Sequence, residues 1–154
     1  MISSHRKLAP ALLIALTSAV WIASGIRLTA QTGPRTASLT VKITAIRNAD
    51  GNLRVALRSD ENTIVQGRTV DIDPKTLTAK VVFENVPEGS FDVAVIHDEN
   101  KNGTLDFNDV GMPIEGYGYS NNPPKRPGPA PFEETRFALN APSTSIEIAL
   151  IYWP

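Results

Sequence analysis

Residues 77–97 read LTAKVVFENVPEGSFDVAVIH. Apolar and polar side chains alternate on both sides of the VPEG turn. Leu77, Ala79, Val81 and Phe83 share one face before it, and Phe91, Val93, Val95 and His97 share one face after it. A period of two is that of a pleated strand with one buried side. An amphipathic helix would instead repeat its apolar residues at three and four. Proline sits in the turn at a position whose φ it already satisfies.

The same rhythm extends in both directions. Toward the N-terminus, SLTVKITAI puts Leu39, Val41, Ile43 and Ala45 on one side. NADGN follows, and its Asp50-Gly51 pair predicts a hairpin. LRVALR then points Leu53, Val55 and Leu57 inward and Arg54 and Arg58 outward, and a less regular strand covers Thr63 to Val70 before Asp73-Pro74 breaks the chain. Toward the C-terminus, RFAL and SIEIALIY resume the alternation, with Ile146, Ile148, Leu150 and Tyr152 on one side. About seven short strands with no long helix predict one all-β domain over residues 38–152, an antiparallel β-sandwich. Residues 98–133 interrupt the pattern and are rich in proline. So long a loop in a small domain is functional or disordered. The tyrosines of GYGYSNN (116–122) favour order, and NPPKRPGPAP reads as an extended strap.

The N-terminus has a different composition. His5, Arg6 and Lys7 precede an uncharged run from Leu8 to Ile26, and Leu28-Thr29-Ala30 offers a cleavage site. Residues 1–30 read as a secretory signal or, alternatively, as a retained membrane anchor, and residues 31–37 as a flexible lead-in. Either reading exports the domain to the periplasm or the exterior. Removal of residues 1–30 takes Arg6, Lys7 and Arg27 and no acid, leaving 12 basic against 16 acidic residues. That balance argues against nucleic acid as a partner. The chain has no cysteine, so no disulfide can staple the fold.

HDENKNGTLDFND (97–109) carries the most specific chemistry. A calcium loop takes side-chain oxygens at positions 1, 3, 5, 9 and 12, a backbone carbonyl at 7 and glycine at 6. With Asp98 first, the positions fall on Asp98, Asn100, Asn102, Gly103, Thr104, Asp106 and Asp109, each of an acceptable type. Asp98, Asn100, Asn102, Asp106 and Asp109 would offer side-chain oxygens and Thr104 its carbonyl. The set predicts weak Ca²⁺ binding, on the order of 10⁻⁴ to 10⁻³ M. A strand enters the loop and Val110-Gly111-Met112-Pro113 prevents a long exit helix, so the scaffold is not that of a helical calcium hand. Asn102-Gly103 is also a good plain turn, and both readings stand on the sequence.

Other groups offer less. His97, beside Asp98, is the single histidine after residue 30. It reads as a packed residue, or as the base or metal ligand of a hydrolase acting on envelope polymers. No cysteine nucleophile and no glycine-rich phosphate loop exist, and Glu133-Glu134 read as a solvated corner. Tyr117, Tyr119, Phe132 and Trp153 either cover the open end of the sandwich or face a glycan or peptide.

VPEGSFDVAVIHDENKNGTLDFNDVGMPIEGYGYSNNPP, followed by FEETRFAL and IEIALIY, resembles a bacterial family known as domain of unknown function 2141. That family carries an HDxNxNGxxD loop, a GPEGYGFSNN-like segment and a proline-rich stretch before a phenylalanine. Here Ile114 precedes Glu115-Gly116, and Tyr119 stands for the family's phenylalanine. The resemblance implies an exported transthyretin-like or carboxypeptidase-regulatory-like β-sandwich of Greek-key type and no established activity. The expectation is an exported, non-enzymatic module whose calcium loop orders residues 98–122. Tyr117, Tyr119, Asn121 and Asn122 would then face an envelope or extracellular protein or glycan. Membrane contact is expected only if the N-terminal segment is retained. The alternatives are the His97 hydrolase and a self-associating carrier or assembly subunit.

Overall fold

Strand alternation places half of each segment's side chains on one side, and two sheets bury those sides against each other. The computed structural model describes Gly33 and residues 35–154. The expected export segment lies outside the described residues. Eight strands follow one another: β1 (Thr36–Thr44), β2 (Asn52–Arg58), β3 (Ile64–Val70), β4 (Ala79–Pro87), β5 (Gly89–Asp98), β6 (Gly116–Tyr119), β7 (Phe137–Leu139) and β8 (Ser143–Ala149). A one-turn helix, α1 (Phe132–Thr135), precedes β7. One sheet runs β4-β1-β8, and the other runs β3-β2-β5-β6 with β7 against the start of β5. The protein is an all-β sandwich.

Between the sheets lie Leu39, Val41, Ile43, Leu53, Leu57, Phe83, Val93 and Ile148, all without solvent exposure. Each such side chain contributes about 1.5–3 kcal/mol. The sequence assigned every one of them to an inward face.

Five features depart from expectation. Asp50-Gly51 is not a hairpin, because β1 and β2 belong to different sheets. Gly51 is still required there. Its φ is +69°, and a Cβ would lie 1.9 Å from the Asp98 carbonyl oxygen. Ala45 turns outward with φ 56° as the strand ends, and Ile46 takes the buried place. The lead-in gives up Thr36 and Ala37 to β1. In addition, β1 and β8 are parallel, so the sandwich is mixed and antiparallel-dominated. Chain ends far apart in sequence meet there, and local alternation carries no information on direction.

GYGY (116–119), expected inside an unpaired loop, is β6 on the edge of β5. It also closes one side of the sandwich. Tyr117 N–H donates to the Ile151 carbonyl at 3.1 Å and Ile151 N–H donates to the Tyr117 carbonyl at 2.7 Å. Gly116 makes this approach possible, since a Cβ would meet the Tyr152 ring at 2.3 Å.

Candidate functional site

The 98–115 loop leaves β5 at Asp98, which is buried at the sheet end. Its Oδ1 accepts the N–H of Asn102 and its Oδ2 the N–H of Gly103, both at 2.9 Å. Lys101 and Gly103 take positive φ (61° and 92°), which turns the chain around the carboxylate. Asn100 Oδ1 accepts Asn102 N–H, and Asn102 Oδ1 accepts Thr104 N–H, each at 2.9 Å. The two side-chain amides then donate to one acid. Asn100 Nδ2 reaches Asp106 Oδ2 at 2.6 Å, and Asn102 Nδ2 reaches both Asp106 oxygens at 2.8 and 2.9 Å.

Asp98, Asn100 and Asn102 are therefore brought together through the loop backbone, and Asp106 joins them through the two side-chain amides. Asp109 is not. It lies exposed on the next turn, whose N–H groups at Val110 and Met112 are capped by Asn108 Oδ1. Among the described residues no three His, Asp or Glu side chains gather closely enough to hold a metal by themselves.

Sequence reasoning passed over Glu115. It is 4% exposed, and its carboxylate spans the loop. Oε1 accepts Glu99 N–H at 2.8 Å and Oε2 accepts Asp106 N–H at 3.1 Å. Neither Glu115 nor Asp106 has a basic side chain in ion-pair reach among the described residues. Both line one open hollow with Asp50, Glu99, Asn100 and Arg47. Arg47 is committed to Glu99, with Nη2 2.7 Å from Oε1 although no hydrogen bond is aligned on that oxygen. The hollow thus holds an excess of carboxylate.

His97 is fully buried and both ring nitrogens are taken. Nε2 lies 2.8 Å from the Asp50 carbonyl oxygen, which makes it the protonated nitrogen, and Nδ1 lies 2.8 Å from the Tyr152 hydroxyl. The ring pins the β1–β2 crossing and the C-terminus to the loop's first residue. Burial pushes the Tyr152 phenol up to about 12.

The GYGYSNN segment is a brace. Tyr117 is buried, its hydroxyl accepts the Trp153 indole N–H at 3.1 Å, and it lies under the strap residues Pro123 and Arg126. Tyr119 is half-buried, and burial raises its phenol pKa. Asn121 Nδ2 donates to the Glu134 and Arg136 carbonyls at 3.1 and 2.9 Å. Asn122 imitates a strand, accepting Ala149 N–H at 2.8 Å and donating to the Glu147 carbonyl at 3.0 Å. The amides expected to meet a partner are occupied within the domain.

With this geometry in view, the family comparison is decisive for kinship. A family model described as "Uncharacterized protein conserved in bacteria (DUF2141)" matches residues 41–147. The chain belongs to this family. No curated protein and no solved structure matches it. The DUF2141 match contains the whole loop, His97, Glu115 and the GYGYSNN brace. It stops before Tyr152 and Trp153, which close the brace from outside the matched span.

A second internal cluster within the DUF2141 region was also missed. Asp92, with no exposure, accepts Arg58 Nε at 2.8 Å, a second bond from Arg58 Nη2, and Thr135 Oγ1 at 2.6 Å. The hydrogen bonds to Asp92 hold the Arg58 guanidinium pKa above its ordinary value. Arg58 and Asp92 face each other directly across β2 and β5, so the strand pairing was the missing information.

Proposed function

We propose that this chain is an exported, non-enzymatic binding module whose 98–109 loop is held by one divalent cation, with Ca²⁺ the best match. Asp98, Asn100, Asn102, the Thr104 carbonyl and Asp106 would hold the ion, whereas Asp109, expected as the sixth group, stands on the next turn and is left out of this set. One observation carries the reading. Asp106 collects three N–H donors from two uncharged amides and no basic group, so a hard cation could replace those donors as its electrostatic partner. The carboxylate excess of the adjoining hollow favours the same charge. Export is supported by the N-terminal sequence pattern. The partner class is an envelope or extracellular protein or glycan. What an ordered loop would offer outward is Phe107, Val110 and Ile114, which are 55%, 81% and 50% exposed.

A hydrolase reading gains nothing from His97, whose two nitrogens are both engaged away from solvent. The test is a pair of thermal melts, one in millimolar CaCl₂ and one in chelator. The wild-type chain should melt several degrees higher with calcium, and Asp98→Ala should lose the difference. Superimposed wild-type melts would refute the cation reading.

A further inference from the structure

The outer face of the β3-β2-β5-β6 sheet carries a trough of about 360 Å³. Strand register creates it. Gly67 lies opposite Ala56, and Ala56 lies opposite Ala94, so three neighbouring strands present their smallest side chains in one row. Tyr119, opposite Ala94, ends the row at the β6 edge. Ile64 and Ile96 add apolar wall. The volume lies within the range of small-molecule sites, which combine an apolar bed with a few placed polar groups.

The charge of this trough opposes that of the rest of the chain. Its lining holds the outward-facing Arg54 and no carboxylate, in a protein of net charge −1. Arg68 turns to the other face of β3, with its guanidinium over Phe83 and bonded to the Gly67 carbonyl and Gln66 Oε1. Arg54 is not spent. Its side chain is 46% exposed and makes no hydrogen bond among the described residues. Its nearest acid, Asp98 Oδ2, is 3.9 Å away and already accepts the N–H of Gly103. A guanidinium with five planar donors and no acceptor, at the end of an apolar bed, matches a carboxylate carried on an apolar body.

We propose that this trough binds a small anionic amphiphile, its apolar part on Ala56, Gly67 and Ala94 and its carboxylate on Arg54. The site adjoins the 98–109 loop, whose Gly103 lines the trough and whose Asp98 faces Arg54, but it does not require the ion, and the titrations are run in chelator. Octanoate is the probe, with 1-octanol carrying the chain without the charge and acetate the charge without the chain.

Titration of the full chain with octanoate should be saturable at one site and should shift the methyl signals of Ala56 and Ala94. Binding of 1-octanol should be about tenfold weaker, and acetate should leave the methyls unmoved. Arg54→Gln should weaken octanoate about tenfold and leave 1-octanol unchanged. Gly67→Leu fills the trough without straining the fold, because a Cβ there meets nothing within 4 Å, and it should abolish both. Octanoate that does not saturate, or that saturates without moving the two methyls, overturns the proposal. So does equal affinity for 1-octanol. A dimer in sedimentation that Gly67→Leu dissociates would make a second copy the occupant, and would overturn it too.

Discussion

Glu115→Gln removes one oxygen from a position where both are used. The native carboxylate accepts Glu99 N–H at 2.8 Å and Asp106 N–H at 3.1 Å, at 4% exposure. Glutamine is nearly isosteric, so no cavity forms. Its oxygen keeps one bond, and its NH₂ then faces the other backbone N–H, donor against donor. A bond to a charged acceptor is worth about 1.5–3 kcal/mol, and an orphaned buried N–H costs about 1–3 kcal/mol. Water can reach the half-buried Asp106 end, which moderates the second cost. The expected destabilisation is about 2–4 kcal/mol, or roughly 8–16 °C of melting temperature for a domain of this size. Urea denaturation gives the magnitude, and amide exchange gives the location. Glu99 and Asp106 amides should lose protection well beyond the rest of the sandwich. A variant within about 0.5 kcal/mol of wild type, or one losing protection evenly, would refute the assignment of Glu115 as the clasp of the loop.

The buried Arg58–Asp92 pair predicts a strongly non-additive result. Asp92→Ala leaves a mostly buried guanidinium unpaired and should cost about 3–5 kcal/mol in chemical denaturation, whereas the double change Arg58→Met, Asp92→Leu should cost less than Asp92→Ala alone. Additive losses would count against it. Tyr152 sets an alkaline limit, because a phenol whose folded pKa is raised to about 12 contributes stability that is complete below its unfolded value near 10 and is lost as pH climbs to about 12. Tyr152→Phe should therefore lose less stability between those pH values than wild type, and parallel curves would contradict this.

The inward faces were legible because burial and alternation are the same fact in a strand. Leu39, Val41, Phe83 and Val93 could be assigned with no knowledge of their partners. The 98–109 loop was legible as a list of oxygens, and the structure joins Asp98, Asn100, Asn102 and Asp106 through one turn while leaving Asp109 apart. Glu115 left no signal in period or spacing, and its place in the GPEGYG-like family segment gave no hint of what it touches. The internal bonds of the brace were hidden for a related reason. Asn121 and Asn122 look like free polar groups until the carbonyls of Glu134, Arg136 and Glu147 are placed beside them.

By itself the sequence determined the class of fold, the buried side of each main strand, and the one stretch able to gather oxygens around a point. All of these follow from interactions between near neighbours along the chain. Tertiary structure alone decided which strands share a sheet, that β1 and β8 run parallel, and that Asp50-Gly51 crosses between sheets rather than turning within one. It also set Arg58 against Asp92, bound both sides of the loop to Glu115, and lined up Gly67, Ala56 and Ala94 into a trough beside Arg54. Those are contacts between residues distant in sequence, and their register is fixed only when two faces meet and exclude water together.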